Sequence, residues 1–171
     1  MQLNKKFVAC SLLVLAASAQ ADDGIERMTL ADMRQALNNG TLSSEQLVQH
    51  YLNNIKANNH QGQKINALVT LNAQALDQAR KWDAQRAKNP TAQYAPLAGI
   101  PFVVKDNFDT AGMVTSGGSY VLRSSVPSQD AFTVKKLIDG QAILLGKANL
   151  SELAASFGWF GYSSFGGQTL N

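Results

Sequence analysis

After Pro96 the chain alternates short apolar runs with helix-patterned segments, and this alternation limits the architectures open to it. "LAGIPFVVK", residues 97–105, reads as a buried strand. "FDTAGMVTSGGS", residues 108–119, reads as a short strand and a turn. Residues 130–139 read as a helix with Asp130 as cap and Gly140 as stop, and "AILLG", residues 142–146, as a second buried strand. "NLSE" then opens another helix, with Asn149 and Glu152 as its capping pair. The order strand, helix, strand, helix calls for α/β layers.

The stretch before Pro96 is mainly helical. Thr29 and Asp32 form a capping-box pattern ahead of Leu30, Met33 and Leu37, and Gly40 stops that helix. Ser43 and Gln46 open the next, whose apolar face is Leu47, Val48, Tyr51, Leu52 and Ile55. "INALVTLN", residues 65–72, is a short strand. Asn72 caps a helix running to about Lys88, with Leu76, Ala79 and Trp82 on one side. "NPTAQYAP" links the two parts. Residues 22–171 read as one domain portion, 22–96 mainly helical and 97–171 α/β.

The first residues have a different logic. Lys5 and Lys6 precede the apolar run "FVACSLLVLAASA", and Ala19 and Ala21 fit a small-x-small cleavage site. A positive start, an apolar middle and such a site are the layout of a secretory signal, cut after Ala21. Phe7 to Ala19 is too short to span a bilayer, so no stable membrane anchor is expected. Export places the protein in a periplasm or outside the cell. Removing residues 1–21 leaves thirteen basic and twelve acidic side chains, which offers nucleic acid no basic face. Cys10, the single cysteine, leaves with the signal, so neither disulfides nor thiol chemistry are expected of the mature chain.

Chemistry-bearing patterns are few. His50 and His60 are the only histidines and match no metal spacing, so they are expected to hold no metal. "GQAILLGK" fails as a phosphate loop: five residues separate its glycines, and Ala148 stands where a hydroxyl should. The remaining feature is Lys105, closing an apolar strand just before Asp106 and Asn107. Either it surfaces into water, or it is a base kept neutral by burial, able to take a proton from a hydroxyl. The residues alone leave both open. "TSGGS" and "SSFGG" are loops whose backbone amides could approach a ligand, or are simply turns.

Three separated segments decide more. "PLAGIPFVVKDNFDTAGMVTSGGS", "DAFTVKKLIDGQAILLGKANLSELA" and "GGQTLN" together resemble the amidase signature family of serine hydrolases. The resemblance covers residues 97–171 strongly and the upstream helices loosely. It implies a layered α/β/α fold with a mixed sheet core, incomplete in this chain and preceded by N-terminal helices. It also implies hydrolysis of a small-molecule carboxylic amide through a Ser–cis-Ser–Lys set, without cofactor. The family's "GIPxxxKD" segment places the lysine on Lys105. Ala154, at the start of the helix after Asn149, and the loop residues Gly167 and Gln168 resemble pocket walls. Both serines follow a segment like "GGQTLN", and Ser119, Ser163 and Ser164 do not match them. The chain by itself is therefore expected to be inactive, unless a C-terminal partner fragment completes it as half of a split enzyme. A non-catalytic amide-binding module is the other alternative.

Overall fold

A computed structural model describes residues 24–155 and 162–170, so the secretory pattern of residues 1–21 lies outside the described residues. Four helices and three strands are present among them: α1 (Leu30–Asn39), α2 (Ser44–Asn58), β1 (Leu68–Leu71), α3 (Ala75–Lys88), β2 (Pro101–Lys105), α4 (Phe132–Asp139) and β3 (Ile143–Ala148). The architecture is α/β, with a small mixed sheet. No helix among the described residues is long and apolar enough to cross a membrane.

The first two helices form as their ends dictate. The Thr29 hydroxyl accepts from Asp32 N at 3.2 Å, and the Asp32 carboxylate accepts from Thr29 N at 2.8 Å. Ser43 and Gln46 make the same reciprocal box at α2, and Gly40 ends α1 in a left-handed conformation. These boxes satisfy backbone amides that a helix start leaves without partners. Helix α2 gains a second anchor: the Asp83 carboxylate of α3 accepts from Ser44 N and Glu45 N at 2.7 and 2.8 Å. Arg86, one turn on, donates to Ser44 Oγ and to Ala98 O. The two helices and the start of β2 are thus joined through one partly buried polar node.

Other expected ends move. Asn72 does not cap α3 directly: Gln74 is the cap residue, while Asn72 Oδ1 accepts from Gln74 N two residues on. Helix α4 starts at Phe132, because the Asp130 carboxylate is engaged by Ala111 N at 2.7 Å. No strand forms between 108 and 119; its backbone bonds close turns, such as Phe108 N to Lys105 O. Nor does "NLSE" start an α-helix among the described residues. It makes a 3-10 turn, Glu152–Ala154, with Asn149 Oδ1 bonded to its neighbour Leu150 N.

The strands lie in the order β1-β3-β2, β1 antiparallel and β2 parallel to β3. Central β3 is buried along most of its length, as its apolar run requires. Ile143 and Leu145 pack on one face with Val48, Ala75 and Ala79 of α2 and α3. Leu144 packs on the other with Val104 and Val134 of α4. A further cluster joins Ile25, Leu37, Leu47 and Ile100. Strand β2 differs from the buried strand expected over 97–105. It is shorter and lies at the edge, and only one face is covered: Val104 is buried, while Val103 is 46% exposed.

Gly146 marks where β1 comes closest to β3. A β-carbon there would lie 2.3 Å from Thr70 O and 3.2 Å from Leu71 Cα. Those contacts are backbone and cannot swing aside. Gly146→Ala should therefore push β1 away and lower unfolding stability by about 2 kcal/mol or more. Urea unfolding of the variant checks this; an unchanged midpoint would refute the close approach.

Candidate active site

Strands β2 and β3 run parallel and end together, with Lys105 opposite Ala148. In open α/β sheets the loops beyond the carboxyl ends of parallel strands are where ligands collect. Three segments meet there. Asp106 N donates to Ala148 O, and Gly117 N donates to Asp106 O, which draws the 116–119 loop over the strand ends. Leu153 N donates to Gly117 O, and Glu152 N donates to Tyr162 O. The Ser163 hydroxyl donates to Gly118 O at 2.6 Å. Gly118 permits this crowding: its φ is +79°, and an added β-carbon would lie 3.2 Å from both Leu150 O and Ser163 Oγ.

Of the residues singled out from the sequence, Lys105 stands at the end of β2 and is exposed among the described residues. The burial expected of a neutral lysine is thus not supplied to it by those residues. Ala154 is exposed in the 3-10 turn, where it and Leu153 adopt φ values of 56° and 52°. Left-handed backbone at two successive non-glycine residues is strained, and such strain gathers at functional sites. Gly167 N donates to Ser163 O, and its carbonyl accepts from Asn149 Nδ2 at 3.1 Å. Gln168 is exposed, its carbonyl held by Asn66 Nδ2 at 3.0 Å. The 149–154 turn and the 162–168 segment are therefore bound to each other and to the 116–119 loop. Ser119 and Ser163 are buried in these loop contacts. Among the described residues, no three His, Cys, Asp or Glu side chains gather as a metal would require.

The buried lysine is a different one. Lys147, on β3, is 0% exposed. Its ammonium donates to Phe108 O at 2.6 Å, to Thr115 Oγ1 at 2.7 Å and to Thr110 Oγ1 at 3.3 Å. Asp106 Oδ1 lies 3.6 Å away, with both side chains essentially inaccessible. The other carboxylate oxygen, Oδ2, accepts from Ser116 N at 3.1 Å and from the Ser116 hydroxyl. Ser116 Oγ in turn accepts from Gly118 N at 3.0 Å. Burial pushes the Lys147 ammonium below the ordinary lysine range, and Asp106 opposes that push. All three ammonium donors have acceptors, so the charged form fits the geometry.

Sequence reasoning passed over this network. The one available signal was a lysine following "AILLG", inside a run too apolar to be a surface edge. Removing one partner of a buried ion pair leaves an uncompensated charge. Lys147→Met should cost about 3–5 kcal/mol of unfolding stability. Asp106→Asn/Lys147→Met keeps an acceptor for Ser116 and should cost distinctly less. A denaturation double-mutant cycle reads both; additive costs would sink the coupling.

A surface carboxylate also holds the loops. Glu152 accepts from Ser164 N at 3.0 Å, and Ser164 Oγ accepts from Tyr120 N at 2.9 Å. Hydrogen bonds from the Ser164 side chain and backbone, then from Ser119, hold the Glu152 carboxyl below its ordinary value of 4.5. A depressed carboxylate supports the fold above its unfolded value and loses that support as pH falls through its folded value. Amide exchange at Ser164, corrected for intrinsic rate, should therefore accelerate below about pH 4.5. In Glu152→Ala, which leaves Ser164 N no side-chain acceptor, the acceleration should be present at neutral pH. Equal protection in the two proteins would show that the latch contributes nothing.

Known proteins are similar to this chain in sequence and in fold. The Amidase family model matches residues 46–171. One subunit of the glutamyl-tRNA(Gln) amidotransferase of Natranaerobius thermophilus is 37% identical over 131 residues, 76% of this chain and 26% of that protein. The native peptide amidase of Stenotrophomonas maltophilia superposes with a TM-score of 0.77 at 39% identity, covering 83% of this chain and 29% of that one. An amidase family protein from Bacillus anthracis gives 0.77 at 38% identity, covering 86% and 30%. The chain spans about a quarter of the length of the curated relatives it matches. By the family match and the shared fold, this chain belongs to the amidase family.

Proposed function

We propose that this chain supplies the lysine-bearing part of an exported amidase that hydrolyses a carboxylic amide. Lys105 takes the role of base. In this reading a serine attacks the amide carbon, and a second serine, held by a cis peptide bond, relays the proton to the Lys105 amine. Ammonia or an amine leaves, and water then releases the acyl group. The two serines come from family sequence that follows the "GGQTLN" segment. No metal or other cofactor enters the scheme.

The observation that carries the reading is the position of Lys105. It emerges at the joint end of two parallel strands, where the mutually bonded loops 116–119, 149–154 and 162–168 are tied to the chain through Gly117 and Asp106. Ala154, Gly167 and Gln168 lie on those loops and are proposed as substrate contacts. A lysine works as a base only when neutral, so the reading requires that further amidase sequence cover Lys105. The exposed apolar surface fits such cover: Val121 is 81% and Phe132 77% exposed, and edge strand β2 leaves Val103 uncovered. The same surface favours a second reading, in which a separately encoded C-terminal piece is the cover.

Hydrolysis of a simple carboxamide, followed by ammonia release, tests both readings. The chain is assayed alone and after mixing with a C-terminal amidase segment. Where hydrolysis is seen, Lys105→Ala should lower it about 10²–10⁴-fold. Lys105→Arg should not rescue it, since a guanidinium cannot be deprotonated in a protein. Activity indifferent to Lys105→Ala would refute the base. Failure of every C-terminal segment to restore activity to an inactive chain would refute the split enzyme. The export part predicts a mature N-terminus at Asp22, read by mass spectrometry of protein recovered from cells.

A further inference from the structure

Helix α4 ends in an unusual way. The residue after a helix commonly turns left-handed, and that seat usually goes to glycine. Here Gly140 keeps an ordinary φ of −74°, and Gln141 behind it takes the left-handed one, at 71°. Its backbone is pinned there, the N–H donating to Ile138 O and the C=O accepting from Gly99 N, both at 2.8 Å. A side chain on such a backbone is strained, and strain gathers where a residue is put to use. The side chain carries a second cost. Gln141 Oε1 is shut away from water and has no donor among the described residues.

Gln141 lines a cleft of about 560 Å³. The cleft opens beside Ala142 and Leu144 at the start of β3, whereas Lys105 stands opposite Ala148 at its end. Trp82, Met113 and Ile138 give it apolar walls, and Gln78 and Asp130 join Gln141 as polar ones. Asp130 is the one charged side chain of this lining among the described residues. Its Oδ1 accepts from Ala111 N at 2.7 Å, and its other oxygen has no hydrogen bond among the described residues. The volume falls within the usual range of small-molecule sites, and a single water, at roughly 30 Å³, would fill little of it. A negative group, an acceptor without a donor and an aromatic wall all suit the same kind of guest.

We propose that this cleft binds a small organic ammonium ion. Its N–H groups go to Asp130 and to Gln141, whose amide turns its oxygen to the guest, and its hydrocarbon lies against Trp82, Met113 and Ile138. The strain at Gln141 is then borne for binding rather than for folding. The inference does not depend on the reading of Lys105.

The test titrates the full chain with benzylammonium at neutral pH, with benzyl alcohol as its neutral match, and follows amide signals by NMR. Benzylammonium should bind at millimolar concentration or below and shift the Gln141 side-chain amide together with residues 110–113. Benzyl alcohol should bind about tenfold more weakly or worse. Asp130→Asn, which keeps an acceptor for Ala111 N, should erase that preference. Gln141→Gly suits the left-handed backbone, so its thermal midpoint should hold or rise by roughly 2–4 °C. In the same variant benzylammonium should bind about tenfold more weakly.

A Gln141 that serves only the fold predicts the reverse: Gln141→Gly melts lower or fails to fold, or binds benzylammonium as the parent does. Either result overturns the proposal. So does a parent chain that ignores benzylammonium, takes it at residues outside the cleft, or takes benzyl alcohol equally well. Should Asp130→Asn fail to fold, the two readouts of Gln141→Gly decide. Failure of the base reading shows elsewhere, in hydrolysis indifferent to Lys105→Ala.

Discussion

An ammonium and a carboxylate with no access to water lie 3.6 Å apart between β3 and the loop after β2. Burying two charges is costly, and their attraction does not by itself make such a pair a source of stability. Its importance is geometric. Lys147 can lie inside only if three acceptors come to it, and they come from Phe108, Thr110 and Thr115. Asp106 can lie inside only if it is bonded to Ser116. Meeting both conditions fixes the path of residues 106–116, and with it the start of the glycine loop. A stretch without helix or strand is thereby tied to the sheet beside it.

The remainder of the fold prepares that spot. Helices α2 and α3 cover one face of β3 and α4 the other, so the lysine interrupts a strand already dry on both sides. The node of Asp83, Arg86 and Ser44 secures α2 against α3 and reaches forward to Ala98, just before β2. Strand β2 is thus held at its beginning by arginine and beyond its end by lysine. Between them its outer face, with Val103 and Lys105, remains open.

Much of this was legible in the sequence where the physics is local. Capping boxes at Thr29 and Ser43 fix helix starts through bonds three residues apart, so four letters are enough to find them. The α2 face and the β3 run were legible because burial follows a simple period. The losses came where a side chain preferred a distant partner. Asp130 looked like a cap but serves Ala111, nineteen residues away. The 108–119 segment looked like a strand because it holds Met113 and Val114, but its polar atoms are claimed by Lys147. For the site, the position of Lys105 at a strand end was legible. Its exposure was one of two readings left open, since the pattern of an apolar run does not say which strand will lie at an edge. Lys147 was overlooked because a lysine is ordinarily read as a surface residue, and its acceptors lie more than thirty positions upstream.

The pairing of β2 with β3 slips between Phe102 and Val103, which face Leu144 and Gly146 and leave Leu145 without an opposite number. That extra residue resets the phase of the strand. A strict alternation would put Lys147 with Ile143 and Leu145, pointing into the hydrocarbon between β3 and the helices α2 and α3. After the slip it shares the side of Leu144 and Val104, where the oxygens of the loop are waiting. A single surplus residue in the backbone thus selects which of two environments, greasy or polar, receives a positive charge. The chemistry at this end of the sheet is, to that extent, a matter of counting.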